Sequence, residues 1–392
     1  MKEHMIYLDY AAATPIDPEV VKAMHAAEGV FANPSARYSL GREAREMLEV
    51  ARSQIAQALA CKPSEIVLTS GGSESDNLAI FGLLKDIGHG EIITIPTEHV
   101  AVLNPIAQLG QTGFVQKMAT IDETGMVDLS KLETTITDQT VLVAIAYASS
   151  EIGTIQPIAQ IAELIQQERA RRKRANEQTP IFLHCDASAA AGRLSLDTNR
   201  LGIDTMSLNA AKIYGPKGVG LLYVRRGLDL SPIVLGGGQE AGRRAGTENL
   251  PGAVAMAQSL QIAEHMRKAE VSRLTAMTQQ LARRLTEAIP DVLINGHAKL
   301  RLAGHLSFSL DGYNGEDLVA YLDAAGIMVG TGAACEAAKR EPSRAIMALG
   351  RSRAQAQGTL RVTMGRTTTE EELVEFVDKL TSTLATIDTM EA

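Results

Sequence analysis

Short apolar runs alternate with helical patterns along the first 250 residues of this chain, and this alternation limits the fold more than any other feature. We predict six strands from these runs, at residues 65–70, 91–96, 141–148, 181–187, 205–209 and 219–224. Helical patterns such as residues 73–87 and 158–174 lie between them. Parallel strands need a long crossover connection, which is usually a helix. The alternation therefore predicts an α/β fold with a mostly parallel sheet covered by helices.

The pattern changes near residue 250. One long helix is predicted from residue 251 to residue 288. Further elements follow it, and we predict strands at 305–310 and 359–364, a helix at 316–325 and a final helix. Thr368 and Glu371 form the capping-box pattern at the start of that last helix. A chain of 392 residues is longer than a single hydrophobic core usually accommodates, so we expect two domains. We predict a large sheet domain followed by a smaller α+β domain.

Composition excludes several classes of protein. The formal net charge of −8 argues against a nucleic-acid-binding surface. No apolar run is long enough to span a bilayer, and the first residues lack the apolar segment of a signal peptide. The three cysteines, Cys61, Cys185 and Cys335, lack metal-ligand spacing and fit a reducing compartment with room for one functional thiol. We expect a cytoplasmic protein that binds neither nucleic acid, nor membrane, nor metal.

One run of positive charge stands out, at residues 169–174. It has two interpretations. It is either a localisation or nucleic-acid patch, or the solvated end of a helix, where cations complement the negative terminus of the helix dipole. We favour the second interpretation.

A glycine-rich turn at residues 69–75 follows a predicted strand and opens a helix. Glycine allows close approach of the backbone, the helix N-terminus offers free N–H groups, and the Ser73 hydroxyl adds another donor. Gly72 and Ser73 therefore suit a phosphate group. The alternative is an ordinary turn with a helix cap.

Two residues of opposite charge follow neighbouring predicted strands. Asp186 ends the strand 181–187, where a buried carboxylate needs a positive partner such as a protonated pyridine nitrogen. Lys212 follows the strand 205–209 among small and apolar residues, which favours a partly desolvated, nucleophilic amine. One strand–helix–strand step separates the two residues, so we expect them at adjacent strand ends. Lys217 is the competing lysine, in a setting that suggests exposure, and Asp186 has the alternative role of a cap or loop ion pair.

His99 begins a helix after the strand 91–96. Ligands collect at the carboxyl ends of strands in such sheets, so an imidazole there is placed to cover a flat ring. Its alternative role is that of a cap or surface residue. Phosphate cup, carboxylate, lysine and imidazole together point to pyridoxal phosphate, bound as a Schiff base on Lys212.

Motifs in the same order along almost the whole chain resemble a known family. They run from Tyr7-Leu-Asp-Tyr-Ala-Ala-Ala-Thr-Pro15 to Gly365-Arg-Thr-Thr-Thr-Glu-Glu371, and include Glu74-Ser-Asp-Asn77, His184-Cys-Asp-Ala187, Lys212-Ile-Tyr-Gly-Pro-Lys-Gly218 and Gly236-Gly-Gly-Gln-Glu240. The chain resembles the NifS/IscS-type cysteine desulfurases, which are class V aminotransferases among the fold-type I pyridoxal phosphate enzymes. The resemblance implies a seven-stranded, mostly parallel sheet in a large domain of residues 15–260. It assigns residues 1–14 and 261–392 to the small domain.

The resemblance also implies roles for single residues around the cofactor. Lys212 carries the cofactor, Asp186 meets the pyridinium, His99 stacks on the ring, and Gly72 with Ser73 cradles the phosphate. Ser150 and Asn209 stand at two further cofactor-binding positions of the family.

Substrate and partner roles follow from the same resemblance. Arg366 matches the clamp on the substrate carboxylate, and a guanidinium suits that role. Cys335 matches the mobile thiol that takes sulfur from L-cysteine as a persulfide. Thr247 matches a phosphate ligand given by the other subunit, which implies a homodimer. A sulfur-acceptor protein, not identifiable from the sequence, is implied as well.

Departures from the family pattern cluster at the cofactor. Ala211 replaces a histidine, Ala189 a glutamine, Asn209 a serine and Ser150 an asparagine. Each lost neutral hydrogen bond is worth about 1 kcal/mol. We expect weaker cofactor retention or altered efficiency.

Three functions therefore compete. The first is cysteine desulfuration, with persulfide on Cys335. The second is a diverged class V enzyme, such as a selenocysteine lyase or another lyase, in which Cys335 is dispensable. The third is a weakened homologue that acts as a sulfur-carrier partner or regulatory subunit. We rank them in that order.

Overall fold

The structure is a computed structural model that describes residues 5–332 and 342–391. Thirteen strands occur in these described residues. In chain order they are β1 (Ile6–Tyr7), β2 (Ile66–Thr69), β3 (Gly90–Thr94), β4 (Phe114–Met118), β5 (Thr140–Ala144), β6 (Phe182–Asp186), β7 (Thr205–Asn209), β8 (Gly220–Val224), β9 (Leu293–Asn295), β10 (His305–Ser309), β11 (Ile327–Met328), β12 (Gly330–Thr331) and β13 (Thr359–Thr363).

Twelve α-helices accompany them in the same described ranges. They are α1 (Pro18–Glu28), α2 (Ser39–Ala58), α3 (Gly72–Leu84), α4 (Val100–Leu109), α5 (Leu129–Thr135), α6 (Ile158–Arg174), α7 (Thr198–Leu201), α8 (Leu250–Ala288), α9 (Gly315–Ala324), α10 (Arg344–Ala348), α11 (Arg353–Gln357) and α12 (Glu370–Glu391).

Seven strands form the large sheet, in the spatial order β2-β8-β7-β6-β5-β3-β4. The pairs from β7 to β4 are parallel, whereas β8 runs antiparallel to both of its neighbours. The mostly parallel seven-stranded sheet implied by the resemblance is confirmed, and all six strands predicted from apolar runs are present. The seventh, β4, escaped the prediction because it lies at the edge, where Val115 and Met118 are exposed and the apolar run is broken.

Helices cover both faces of this sheet, and alternate strand residues supply two cores. Ile93 and Val143 pack in one core, while Ile92 and Leu142 pack in the other. Every residue of β5 is buried. A strand buried on both faces reads as a continuous apolar run, which is why the sequence identified it.

A second, four-stranded antiparallel sheet has the order β12-β13-β10-β9. Its core includes Phe308 and Phe376, and also Ile6 and Leu8 from the start of the chain. Strand β1 reaches this unit by parallel pairing with β11. The long helix α8 contributes residues to the core of each unit. The domain boundaries themselves stay a prediction.

The predicted cap of the last helix is wrong by one residue. Thr369 and Glu372 form the reciprocal side-chain to backbone hydrogen bonds of a capping box, at 3.3 and 3.0 Å. Thr368 is engaged elsewhere, because its hydroxyl accepts a hydrogen bond from the Gly365 amide. Three consecutive threonines followed by three glutamates, at residues 367–372, make three registers equivalent in sequence, and the turn at Gly365 selects one of them.

The charge run at the end of α6 is only partly solvated. Lys173 and Arg174 are exposed, as expected. Arg172 is buried and donates to the carbonyl oxygens of Thr137 and Thr140, so the solvated interpretation is wrong for this residue. No helix in the described part of the chain has the length and apolar character that crossing a bilayer requires.

Candidate active site

A cavity of about 300 Å³ lies where the large sheet faces the second unit. Seven of the sequence-predicted site residues line it: Gly72, Ser73, His99, Ser150, Asp186, Asn209 and Lys212. They follow the carboxyl ends of parallel strands or begin helices, which is where ligands collect in open α/β sheets. The second unit closes the cavity with residues of β10 and β13.

Lys212 ends the short 3-10 turn that follows β7. Its Nζ donates to the carbonyl oxygens of Ala11 and Ala12, at 2.6 and 2.7 Å. The segment after β1 therefore holds the amine inside the cavity. The competing Lys217 is exposed and does not line the cavity.

Asp186 is the last residue of β6 and pairs in register with Ser207 of β7. The placement of Asp186 and Lys212 at adjacent strand ends is therefore confirmed. Asp186 Oδ1 accepts a hydrogen bond of 2.8 Å from the Ser188 amide, and the Ser207 hydroxyl oxygen lies 3.3 Å from it. These contacts orient the Asp186 side chain at the cavity wall.

His99 is the N-cap of α4, because its Nδ1 accepts a hydrogen bond of 3.1 Å from the Ala101 amide. The proton of the neutral ring is therefore on Nε2. Burial lowers the pKa of His99; the charges of Lys212 and Arg361 act in the same direction, and Asp186 opposes them. The imidazole is thus neutral near pH 7, with its proton on Nε2.

The glycine-rich turn forms a cradle. Gly71 has φ +153°, a conformation that side-chain-bearing residues rarely adopt, and Gly72 opens the 13-residue helix α3. A Cβ on Gly72 would lie 3.0 Å from Ser188 Oγ. That hydroxyl is buried and has no hydrogen-bond partner among the described residues. The helix N-terminus and an unsatisfied hydroxyl together fit an anionic group such as the phosphate of pyridoxal phosphate.

Asn209 and Ala211 form part of the support of Lys212. The Asn209 side chain accepts a hydrogen bond of 3.1 Å from the Ala211 amide, which stabilises the lysine turn. Ala189 lines the cavity, whereas Ala211 does not. Of the two alanine departures, only Ala189 therefore borders the cavity.

Arg361 is a cavity residue that the sequence reasoning missed. It is 7% exposed, and its guanidinium donates to the Ser150 carbonyl at 3.2 Å and to Asp9 at 2.8 Å. Its Nε is buried with no partner among the described residues. The available signal was the alternation of β13, on which Arg361 and Thr363 face the cavity together.

Arg366 lies elsewhere. Its Nη1 donates to Asp17 at 2.7 Å, and its guanidinium carbon lies 3.9 Å from the ring centroid of Tyr214. It is not among the residues that line the cavity. The structure therefore brings Arg361, and not Arg366, to the other site residues.

A second carboxylate, Asp76 of α3, was also missed. It lines the cavity, yet it is 1% exposed. Burial, together with the neighbouring Asp186, raises the pKa of Asp76 to about 6, although hydrogen bonds from His184 and Ser207 oppose the shift. The sequence could have indicated this residue, because Asp76 is a charged residue among the small and apolar residues Ser75, Leu78 and Ala79, which are buried in α3.

Thr247 does not line the cavity. Thr247 is exposed on the loop before α8. Cys335 lies outside the described residues. Burial raises the pKa of Cys61 to about 12 and that of Cys185 well above its ordinary value, so both are protonated thiols near neutral pH. No His, Cys, Asp or Glu group suited to a metal ion occurs within the described residues.

Comparisons with known proteins concern the family of the chain. The family model for aminotransferase class-V matches residues 6–376. A cysteine desulfurase IscS of Dictyoglomus turgidum is 38% identical over 379 residues, which cover 96% of this chain and 93% of that protein.

Two solved structures are also similar. A NifS-like protein has a TM-score of 0.89 and 31% identity, covering 97% of this chain and 100% of its own. SspA in complex with cysteine has a TM-score of 0.78 and 32% identity, covering 92% of this chain and 98% of its own. The resemblance that the sequence motifs indicated is confirmed, as is the fold class.

Proposed function

The chain belongs to the class-V aminotransferase family, and on that premise we propose that it is a pyridoxal-phosphate-dependent cysteine desulfurase. It converts L-cysteine to L-alanine and receives the sulfur as a persulfide on Cys335. The observation that carries the proposal is the single cavity in which Lys212, Asp186, His99 and the Gly72–Ser73 cradle meet.

The residues of this cavity fit the cofactor. Lys212 would hold its aldehyde carbon, Asp186 its pyridine nitrogen, and the α3 N-terminus with Ser73 its phosphate. His99 would cover one face of its ring. When bound, the cofactor supplies an electron sink for negative charge at the α-carbon of the substrate.

We assign the substrate carboxylate to Arg361. A guanidinium binds a carboxylate with charge-assisted, directional hydrogen bonds, and the low exposure of Arg361 strengthens them. Asp9 and the Ser150 carbonyl fix the orientation of Arg361. Arg366, the residue matched by the resemblance, supports the site through Tyr214, whose hydroxyl accepts from the Arg366 amide.

Proton transfer falls to two groups. The Lys212 amine takes the α-proton of the substrate. The Ala11 and Ala12 carbonyls hold this amine at the wall of the cavity. The neutral His99 imidazole is placed to exchange a proton with the substrate thiol through Nε2.

Sulfur transfer needs a thiolate. The Cys335 sulfur attacks the substrate sulfur, an S–S bond forms, and the C–S bond breaks with its electrons retained on carbon. That carbon takes up a proton, and L-alanine leaves. Cys61 and Cys185 do not suit this role, because their thiols are protonated near neutral pH.

Two partners complete the proposal. Thr247 is exposed, which suits a residue that reaches the phosphate of the other subunit in a homodimer. A separate acceptor protein then removes the persulfide sulfur. A cytoplasmic location remains part of the proposal.

Steady-state release of L-alanine from L-cysteine by the purified, cofactor-loaded protein tests this function. Alanine release together with persulfide on Cys335 is expected. Alanine release that persists without the Cys335 thiol would instead support the lyase alternative, and no turnover despite cofactor binding would support the weakened homologue.

A further inference from the structure

A buried carboxylate, Asp76, and a half-buried one, Asp186, share one serine hydroxyl beneath the candidate cofactor site. Ser207 Oγ donates to Asp76 Oδ1 in a very short contact, and Asp186 Oδ1 lies 3.3 Å from the same hydroxyl oxygen. Asp76 Oδ1 also lies 3.1 Å from His184 Nε2. Asp76, Ser207 and His184 are 0–1% exposed, so their contacts are shielded from bulk solvent.

We propose that Asp76 is a positioning residue for Asp186, and that its proton decides which carboxylate receives the Ser207 hydrogen. This inference rests on the proposed function, because Asp186 is there the partner of the cofactor's pyridine nitrogen. It adds a proton-linked element to cofactor binding.

Ser207 has one hydroxyl hydrogen and faces two carboxylate oxygens. If Asp76 is protonated, its own hydroxyl donates to Ser207 Oγ, and the Ser207 hydrogen is free for Asp186. If Asp76 is ionised, the Ser207 hydrogen goes to Asp76. Asp186 then keeps the Ser188 amide as its remaining donor here and faces a second negative charge.

The other strand residues leave this arrangement intact. His184 Nδ1 lies 2.9 Å from the Thr205 hydroxyl, which donates to it when the ring proton is on Nε2. That ring proton then points to Asp76. The register of β6 and β7 places His184 opposite Thr205 and Asp186 opposite Ser207, so the sheet itself sets these contacts.

Several charges act on Asp76. Burial comes first, and Asp186 acts in the same direction to raise its pKa to about 6, whereas His184 and Ser207 lower it. Burial raises the pKa of Glu98, which lies in the segment before α4, and the charges of Asp186 and Asp76 raise it further. Burial also raises the pKa of the Cys185 thiol, and Asp76 is among the charges that add to that shift. Lys212 and His99 face the same cavity from its other walls.

A linkage between protons and cofactor follows. A positive pyridine nitrogen beside Asp186 lowers the pKa of Asp76, because it favours the charged form of a nearby carboxylate. Cofactor binding therefore favours proton release from Asp76. The affinity should gain from this release as the pH rises through the pKa of Asp76.

The test compares the wild type with Asp76→Asn, and uses Ser75→Ala as a matched control on the same buried face of α3. The dissociation constant of pyridoxal phosphate is measured for each protein between pH 5 and pH 8. The ratio of the Asp76→Asn dissociation constant to the wild-type constant should rise about tenfold over this range. This is the effect expected if cofactor binding lowers the pKa of Asp76 by about one unit. The cofactor's own ionisation cancels in the ratio. A ratio that stays constant with pH, or a Ser75→Ala protein that shows the same rise, overturns the proposal.

A second measurement needs no cofactor. In the cofactor-free protein the folded pKa of Asp76 lies above its unfolded value of 3.8, so stability falls as the pH rises from about 4 through 6. Glu98 acts in the same direction, and the difference between proteins is therefore the quantity of interest. In thermal unfolding, the stability of Asp76→Asn should therefore fall less between about pH 4 and pH 6 than the stability of the wild type does.

Ser207→Ala serves if Asp76→Asn does not fold. It removes a donor from Asp76, so the stability loss should move to higher pH, and an unchanged profile contradicts the proposal. A wild type that binds no pyridoxal phosphate contradicts the proposed function instead, and the unfolding comparison then decides whether Asp76 is linked to Asp186.

Discussion

Lys212 Nζ donates a hydrogen bond of 2.6 Å to the carbonyl oxygen of Ala11, which lies 201 positions earlier in the sequence. The segment that contains Ala11 follows β1, whose pairing with β11 joins it to the second unit. Lys212 belongs to the large sheet, but its amine is held by the backbone of a segment that is attached to the second unit. The position of the amine therefore depends on both units.

Lys212→Ala should abolish covalent attachment of pyridoxal phosphate, because Lys212 is the lysine that lines the cavity within the described residues. Borohydride reduction followed by peptide mapping measures this directly. Lys217→Ala is the matched control and should keep the label, since Lys217 is exposed. Label recovered on Lys217 in the wild type contradicts the assignment.

Arg361→Lys should raise the KM for L-cysteine more than Arg366→Lys does. Loss of a charge-assisted hydrogen bond costs about 1.5–3 kcal/mol, or roughly 10- to 100-fold, whereas Arg366 contacts Asp17 and Tyr214 away from the cavity. Steady-state kinetics on both variants provide the comparison. A larger effect at Arg366 would restore the role that the sequence resemblance gave it.

Cys335→Ser should still bind L-cysteine and change the visible absorbance, yet release no L-alanine. A serine hydroxyl is nearly isosteric but has no accessible anion near neutral pH. Cys61→Ser and Cys185→Ser are the controls and should keep turnover, because the pKa of each thiol is too high for it to act as the nucleophile. Full activity of Cys335→Ser removes the desulfurase mechanism.

Ala189→Gln should tighten pyridoxal phosphate binding more than Ala211→His does, since Ala189 lines the cavity and Ala211 does not. One added neutral hydrogen bond is worth about 1 kcal/mol, or roughly fivefold in the dissociation constant. Fluorescence or absorbance titration of the cofactor-free variants measures the effect. Equal, unchanged constants would show that other groups already compensate for these departures.

His305 should make the protein sensitive to acid. Burial first, and then the positive charges of Arg361 and Arg301, lower the pKa of His305 to about 3, while its contact with the Ser150 carbonyl opposes the shift. The unfolded chain has the ordinary value of about 6.5 and takes up the proton first, so stability is lost as the pH falls from about 6.5 toward 3.

Replacement of this histidine tests the prediction. His305→Gln keeps a donor for the Ser150 carbonyl but does not titrate. Thermal unfolding between pH 7 and pH 4 should show a smaller loss for this variant than for the wild type. His25→Gln, the same substitution at an exposed position, provides the control.

Local pattern was sufficient wherever one physical effect dominates. The strand Thr205–Asn209 and the helix Ile158–Arg174 have the bounds predicted from the sequence. Asp186 and Lys212 could be assigned to adjacent strand ends from the sequence. Strands that are buried on both faces appear as continuous apolar runs, so the strands that precede these residues could be recognised. The motifs along the chain were likewise sufficient for the family and the fold.

Tertiary structure decided which side chains meet. Arg361 and Arg366 stand five positions apart. Arg361 lies on β13 and lines the cavity, whereas Arg366 follows that strand and does not line it. Asp76 looks like a surface residue of α3 until the helix packs against β6 and β7 and burial raises its pKa. Thr368 and Thr369 carry equivalent caps, and the Gly365 turn chooses between them. In each case the deciding energy comes from contacts between segments far apart in sequence, and local pattern does not contain them.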